Sequence, residues 1–312
     1  MNNNYIAFDI GGTEIKYGIL TDSAEILLKN SFKSQRASVD HVFSDIVVII
    51  NEYKDKYNLS GIAFSLPGIV DVNTGIVPFM GAITLNGPVN IKNYFEAATG
   101  LPVELENDAN CATLAELWKG AGQNSDNFVC FTIGTGIGGG IVINRELYRG
   151  KQFSAGEFGM MYNDQPEKMI TENSSMYRKG VPEEWSAQGS MYFVVKRMQE
   201  QIGNEQLTGA EIFDKAVQGL EPFATEVARF YHANAIGIHN LWVALNPEKI
   251  IIGGGISARG TELVEKLEKE LVDMNRIAVM KIPPDVITVC DFANDAGIIG
   301  ATYHFLHTRK LI

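Results

Sequence analysis

The sequence predicts an α/β protein built from two domains. Three observations carry this expectation. Segments of strand and helix character alternate along the chain, which is the pattern of α/β folds. At 312 residues the chain is longer than one hydrophobic core usually serves. A strand–Gly–strand pattern also occurs twice, at Phe8-Asp9-Ile10-Gly11 and again at Phe131-Thr132-Ile133-Gly134. A hairpin repeated at domain scale points to two related halves.

The elements follow in order. Tyr5 to Phe8 reads as a strand, and Ile15 to Leu20 as a second strand joined to it by a tight Gly-rich turn, so the pair is a hairpin. Residues 39–57 carry Val42, Ile46, Ile49, Ile50 and Tyr53 at helical spacing. Gly61 to Leu66 is a strand stopped by Pro67-Gly68, residues 91–100 a helix, and Pro102 to Leu105 a strand. A helix then opens at Asn107-Asp108 and runs to about Lys119, with Gly120 as its stop.

Gly, Asn, Ser and Asp cluster over Gly120–Asn127, where a new module begins. Phe128 to Ile133 and Ile141 to Ile143 are strands flanking the run Gly134 to Gly140. Residues 160–184 are polar, hold Pro166 and Pro182, and read as an exposed loop. Residues 186–202, 210–218 and 222–245 are helical, and Lys249 to Ile252 is a strand ended by Gly253-Gly254-Gly255. A helix from about Arg259 to Met274, a strand from Val286 to Cys290 and a helix from Ala296 to His307 complete the chain.

Composition narrows the function classes. A net charge of −11 disfavours nucleic acid and anionic membrane as partners. The three cysteines, Cys111, Cys130 and Cys290, are widely spaced and form no CxxC pair, which suits a reducing, cytoplasmic setting. The N-terminus lacks the basic and apolar regions of a signal peptide, and no apolar run is long enough to span a bilayer.

Two glycine clusters carry the chemistry. Gly11 and Gly12 remove side chains from a turn, so backbone amides can approach a phosphate. Asp9, at the strand end, suits Mg²⁺ either directly or through water. Thr13 adds a hydroxyl, and Lys16 stands close enough to reach phosphates. An ordinary hairpin in which Asp9 only bonds its own turn would use the same residues. Thr132 to Gly140 holds five glycines in nine residues, an unstable composition for a strand unless something lies against the bare backbone. Thr132, Gly134, Thr135 and Gly136 are therefore candidates for a triphosphate tail. Neither cluster fits a Walker or Rossmann motif, because no helix opens at it. Gly254 and Gly255, after a strand, can lie under an adenine or ribose.

Glu106-Asn107-Asp108-Ala109-Asn110 supplies a candidate base, Asp108, at a helix N-terminus. Asp is also a routine helix cap, and that reading competes. Asn107 crowds the same turn with polar groups. Glu157, between Gly156 and Gly159 in Gly-Glu-Phe-Gly, and Asn86 are candidates for sugar hydroxyls.

Taken together and in this order, these segments resemble the ROK family of bacterial sugar kinases and sugar-responsive repressors. The resemblance rests on Asp9-Ile-Gly-Gly-Thr13, Glu106-Asn-Asp-Ala-Asn110, Thr132-Ile-Gly-Thr-Gly-Ile-Gly-Gly-Gly140, Ala155-Gly-Glu-Phe-Gly159, Ile252-Gly-Gly-Gly-Ile256 and Ala296-Gly-Ile-Ile-Gly-Ala301. It implies the actin-like ATPase (ribonuclease H-like) fold, with two α/β domains flanking a deep cleft. The N-terminal domain would comprise residues 1–118 with 296–312, and the C-terminal domain residues 119–295. It further implies an ATP-dependent, Mg²⁺-assisted kinase of a hexose 6-hydroxyl, with Asp108 as general base. Glucose, N-acetylmannosamine and a β-glucoside are the candidate substrates, and a cytoplasmic homodimer is expected.

One departure stands out. Many family members carry a zinc site after the sugar turn, whereas residues 160–190 here contain neither Cys nor His. No zinc is expected, and the chain resembles a zinc-free subgroup. The family's sugar-contacting His is replaced by Met160, and its second sugar-contacting Glu falls at Ser186, with Glu183 and Glu184 as the nearest substitutes. Repressors of the family carry an N-terminal winged-helix domain, which has no place before a hairpin that starts at Tyr5, so DNA binding is not expected.

Overall fold

A computed structural model of the chain describes residues 3–34, 39–80, 83, 85, 87–163, 184–274 and 281–312. Strand β1 (Asn4–Ile10) turns sharply into β2 (Glu14–Thr21) and β3 (Ile26–Lys33), followed by helix α1 (Val39–Tyr53) and β4 (Leu59–Leu66). Two short strands, β5 (Ile76–Val77) and β6 (Val89–Asn90), precede α2 (Ile91–Thr99), β7 (Val103–Asn107) and α3 (Asp108–Lys119). Then come β8 (Phe128–Ile133), β9 (Ile137–Ile143), β10 (Glu146–Leu147), α4 (Trp185–Gly189), α5 (Met191–Ile202), α6 (Gly209–Val217) and α7 (Phe223–Leu245). The chain ends with β11 (Lys249–Gly253), α8 (Thr261–Met274), β12 (Ile287–Val289) and α9 (Ala296–Thr308).

The residues fall into two compact units. The first comprises Met1–Asp126, Gly140–Gly156 and Asp291–Ile312, and the second Asn127–Gly139 and Glu157–Cys290. The stretch 140–156 therefore packs with the first unit, which differs from the expected division at 118/119 and 295/296. Strand periodicity gives no hint of this, because β9 is continuous and only its packing changes along its length.

The first sheet has the order β3-β2-β1-β4-β7, with β1 and β4 parallel, β4 and β7 parallel, and the opening hairpin antiparallel. The parallel strands are buried on both faces. On β1, Ile6 and Phe8 enter one core with Phe64, Ile46 and Phe95, while Tyr5 and Ala7 enter another with Cys111, Ile299 and Phe305. Period-two alternation of a strand explains the split. Helix α9 approaches α3 closely, since a β-carbon on Gly300 would lie on the carbonyl of Cys111.

The second sheet has the order β10-β9-β8-β11-β12, again an antiparallel hairpin extended by parallel strands. The repeated hairpin thus opens a repeated topology. Sequence reading missed β3 and the two-residue strands β5, β6 and β10, the last three too short to show any periodicity. It also placed the helix near 186–202 in one piece, whereas the chain breaks at Ser190. The loop expected over 160–184 lies mostly outside the described residues.

Candidate active site

In the first unit the candidate residues gather where β1, β4 and β7 end. Asp9 stands opposite Lys16 on β2 and Ser65 on β4. The Ser65 hydroxyl donates to Asp9 Oδ1 at 2.6 Å. Burial pushes the Asp9 carboxyl above its ordinary range, while Ser65 and Lys16 pull it back. Gly297, in the first turn of α9, lies so close that its β-carbon would stand 2.4 Å from Asp9 Cγ. The turn after β1 is held by Gly11 N donating to Glu14 O at 3.1 Å, and a β-carbon on Gly11 would be 2.6 Å from that oxygen. Gly12 is half-buried beside it, and Thr13 is exposed.

Strand β7 runs directly into α3, and its last residue does the capping. Asn107 Oδ1 accepts from Asn110 N at 3.0 Å, and Asn107 Nδ2 donates to Gly68 O at 2.9 Å and to Asp108 Oδ1 at 3.0 Å. The N-cap role that competes for Asp108 in the sequence therefore belongs to Asn107. Asp108 is the first helical residue; its Oδ1 takes Ala109 N at 2.8 Å, and the residue is exposed.

The second unit gathers the other candidates. Thr132 on β8 stands opposite Gly253 on β11, and a β-carbon on Gly254, at φ +83°, would fall 2.4 Å from the carbonyl oxygen of Ile133. Gly254 and Gly255 are thus brought beside the turn Gly134-Thr135-Gly136, which closes with Gly134 N donating to Gly136 O at 2.9 Å. Of the five glycines, Gly138, Gly139 and Gly140 lie inside β9. A β-carbon on Gly139 would be 2.5 Å from Cys130 O, and one on Gly140 2.5 Å from Thr113 Oγ1. Packing alone accounts for Gly139 and Gly140.

Glu157 precedes a short 3-10 turn, Phe158–Met160, and burial raises its carboxyl above the usual range. Gly159 ties that turn to the hairpin: its β-carbon would stand 2.3 Å from Ile137 O and 2.1 Å from Ser186 Oγ. Ser186 accepts from Ile137 N at 2.9 Å. Met160 is exposed, as is Glu184. Asn86 and Glu183 lie outside the described residues. Among the described residues, no group of three or more His, Cys, Asp or Glu could hold a metal ion, and no helix is long and apolar enough to cross a membrane.

Sequence reading missed Ser65 and Gly297. Ser65 is only a polar residue near the end of an apolar strand, and Gly297, though inside the Ala296–Ala301 motif, carried no assigned role.

The profile of the ROK family matches residues 5–308. The chain belongs to the ROK family. A β-glucoside kinase from Listeria monocytogenes is 38% identical over 308 residues, 97% of this chain and 98% of that one. A glucokinase from Halalkalibacterium halodurans is 30% identical, covering 95% of this chain and 93% of its own. A solved Listeria monocytogenes structure, described as a proposed N-acetylmannosamine kinase, superposes with a TM-score of 0.85 at 37% identity, over 99% of this chain and 100% of that one. The ROK chain has the actin-like ATPase fold, as the motifs imply. Its doubled sheet topology is what that fold requires.

Proposed function

We propose that this ROK protein transfers the γ-phosphoryl group of ATP to the 6-hydroxyl of a hexose, with Asp108 as general base. The observation that supports the reading is the arrangement at the start of α3: Asn107 caps the helix, and the Asp108 carboxylate beside it is exposed to solvent. The kinase names of the relatives favour this over a sugar-sensing regulator. The β-glucoside kinase relative favours a sugar substituted at C1, consistent with Met160 and Ser186 at positions where much of the family has His and Glu. A site without those hydrogen-bonding groups discriminates less at C1 and C2.

In this reading the sugar's O6 attacks the γ-phosphorus. Its proton passes to Asp108, and the bond to the bridging oxygen breaks, so ADP leaves with the electron pair. A loose transition state lets the proton depart late, which suits a carboxylate as weak as Asp. Asn107 and Glu157 orient the other hydroxyls, with Asn86 assigned to the same task. Gly11, Gly12, Thr13 and Lys16 of the first hairpin, and Thr132, Gly134, Thr135 and Gly136 of the second, are assigned to the phosphates. Gly254 and Gly255 lie under the nucleoside.

Mg²⁺ fits the residues present. It is bound through one or two carboxylates, substrate phosphates and water, without a cage of protein ligands. Asp9 supplies such a carboxylate, buried and held by Ser65, where ionisation is costly without a cation. Bound Mg²⁺ would neutralise charge on the transferred phosphoryl group. The absence of Cys and His over 160–190 supports a zinc-free enzyme. Free Cys111, Cys130 and Cys290 support a cytoplasmic location.

The test is a coupled ATP assay over glucose, N-acetylmannosamine, N-acetylglucosamine, a β-glucoside, galactose and 6-deoxyglucose. Activity on the C1- and C2-modified sugars with none on 6-deoxyglucose is expected. A chain inert toward every hexose refutes the reading.

A further inference from the structure

Glu106 is buried within the first unit, with a side chain only 1% exposed, immediately before the Asn107–Asp108 pair. Its Oε1 accepts from Asn107 N at 2.8 Å and from Asn110 Nδ2 at 3.0 Å, so it grips the base turn on both sides of Asp108. Its Oε2 receives Arg149 Nε at 2.6 Å. A buried carboxylate needs such a partner, because removing a charge from water is costly unless it is paired and hydrogen-bonded. Arg149 Nη2 in turn lies 3.3 Å from His304 Nδ1. Arginine only donates, so Nδ1 must offer its lone pair and the imidazole is neutral. Burial, which lowers the His304 pKa, agrees with this. The 3.9 Å approach of His304 to Glu106 is therefore not an ion pair, and Arg149 is the cation that neutralises Glu106.

Arg149 has a second role through its backbone. Its carbonyl accepts from Ala155 N at 3.1 Å, closing the loop 149–155 at its base. Gly150, at φ +69°, allows that closure, and a side chain there would press on Ala155 at 3.3 Å. Gly156, at φ +96°, follows and leads straight into Glu157.

We infer that Arg149 is a positioning residue for the sugar site, fixing the Asn107–Asp108 turn through Glu106 and anchoring the loop that leads into Glu157. This rests on the hexose-kinase reading above, and the role given to Arg149 is exerted through Glu106 and the loop backbone. Arg149 sits among residues with no motif character, and only the fold pairs it with Glu106.

The experiment compares wild type with Arg149→Met, Arg149→Lys, Glu106→Gln and the Glu106→Gln/Arg149→Met double variant, each checked for folding by thermal melt. Misplacing a reacting group by an ångström costs about 10²-fold, so Arg149→Met should lower kcat/KM for glucose or methyl β-glucoside by roughly 10- to 100-fold. KM for ATP should stay within about twofold, since the nucleotide motifs are untouched. Arg149→Lys keeps the charge but not the fork, so it should fold, recover part of the loss and still fall short of wild type. The double variant should be no worse than the poorer single, because both act through one pair. Native sugar kcat/KM in folded Arg149→Met or Arg149→Lys, equal losses toward sugar and ATP, or multiplicative losses in the double variant would overturn the inference. A wild type inert toward all hexoses would instead remove the kinase reading itself.

Discussion

The Asp9 carboxylate lies directly against Gly297: a β-carbon on that glycine would stand 2.4 Å from Asp9 Cγ and 2.6 Å from Oδ1. The two residues belong to the first strand and the last helix, which meet at the carboxylate proposed above to hold magnesium. Gly297→Ala must displace Asp9 or tilt α9. A shift of about 1 Å costs roughly 10²-fold when it moves a reacting group, and somewhat less is expected for a metal ligand. The Mg²⁺ concentration needed for half-maximal rate should rise, with the sugar KM unchanged. A titration of rate against Mg²⁺ at fixed ATP checks this.

Asp108→Ala should lower kcat by a factor on the order of 10²–10⁴. The fold should survive comfortably. Asn107 keeps the cap, whose loss would itself cost only about 1 kcal/mol. Steady-state rates together with a thermal melt separate the two effects. Near-native turnover would exclude Asp108 as the base.

The glycines of the second hairpin should divide into two kinds. A β-carbon on Gly134 meets nothing within 4 Å, and one on Gly136 only Ser186 Oγ at 3.5 Å, and neither residue has positive φ. Gly134→Ala should therefore fold normally and weaken ATP selectively. Gly159→Ala, by contrast, collides with Ile137 O and Ser186 Oγ, and should lower the melting temperature and sugar binding together. Calorimetric titration of each variant with nucleotide and with sugar distinguishes them. Normal ATP affinity in Gly134→Ala would detach that glycine from the phosphates.

Asp9 should reveal itself through pH. Its carboxyl is raised in the folded chain, chiefly by burial, so the native state holds that proton more tightly than the unfolded state does. Its contribution to stability is thus fully present below the unfolded value of 3.8 and is lost as pH rises through the folded value. Asp9→Asn keeps an acceptor for Ser65 without the charge. In chelator, the variant should gain stability over wild type as pH rises from about 4 to about 7, while losing activity. Denaturant midpoints across that range measure the gap. A gap that narrows with rising pH would contradict a costly buried carboxylate.

The α/β class, the two Gly-turned hairpins and the Glu106–Asn110 segment were legible in the residues, because strand period, glycine and helix-start chemistry are local signals. Which residue caps α3 was not legible. Asn107 and Asp108 are both good caps, and only the end point of β7 decides between them. Why each glycine is there was equally hidden: Gly139 gives way to the Cys130 carbonyl and the Phe158 ring, and Gly140 to Thr113, while a β-carbon on Gly134 would meet nothing within 4 Å. Strand β3 escaped notice because Leu27 on its exposed face and Asn30 on its inner face blur the alternation of Ile26, Leu28 and Phe32.

By itself the sequence determined the family, the fold class and the candidates on the motifs, since each depends on residue type at short spacing. Tertiary structure alone decided the partners: Ser65 and Gly297 for Asp9, Arg149 for Glu106, and Ser186 for Ile137. Those pairings join residues from 43 to 288 positions apart. No local pattern encodes them, because burial leaves a polar group needing a partner and the fold chooses which one it meets.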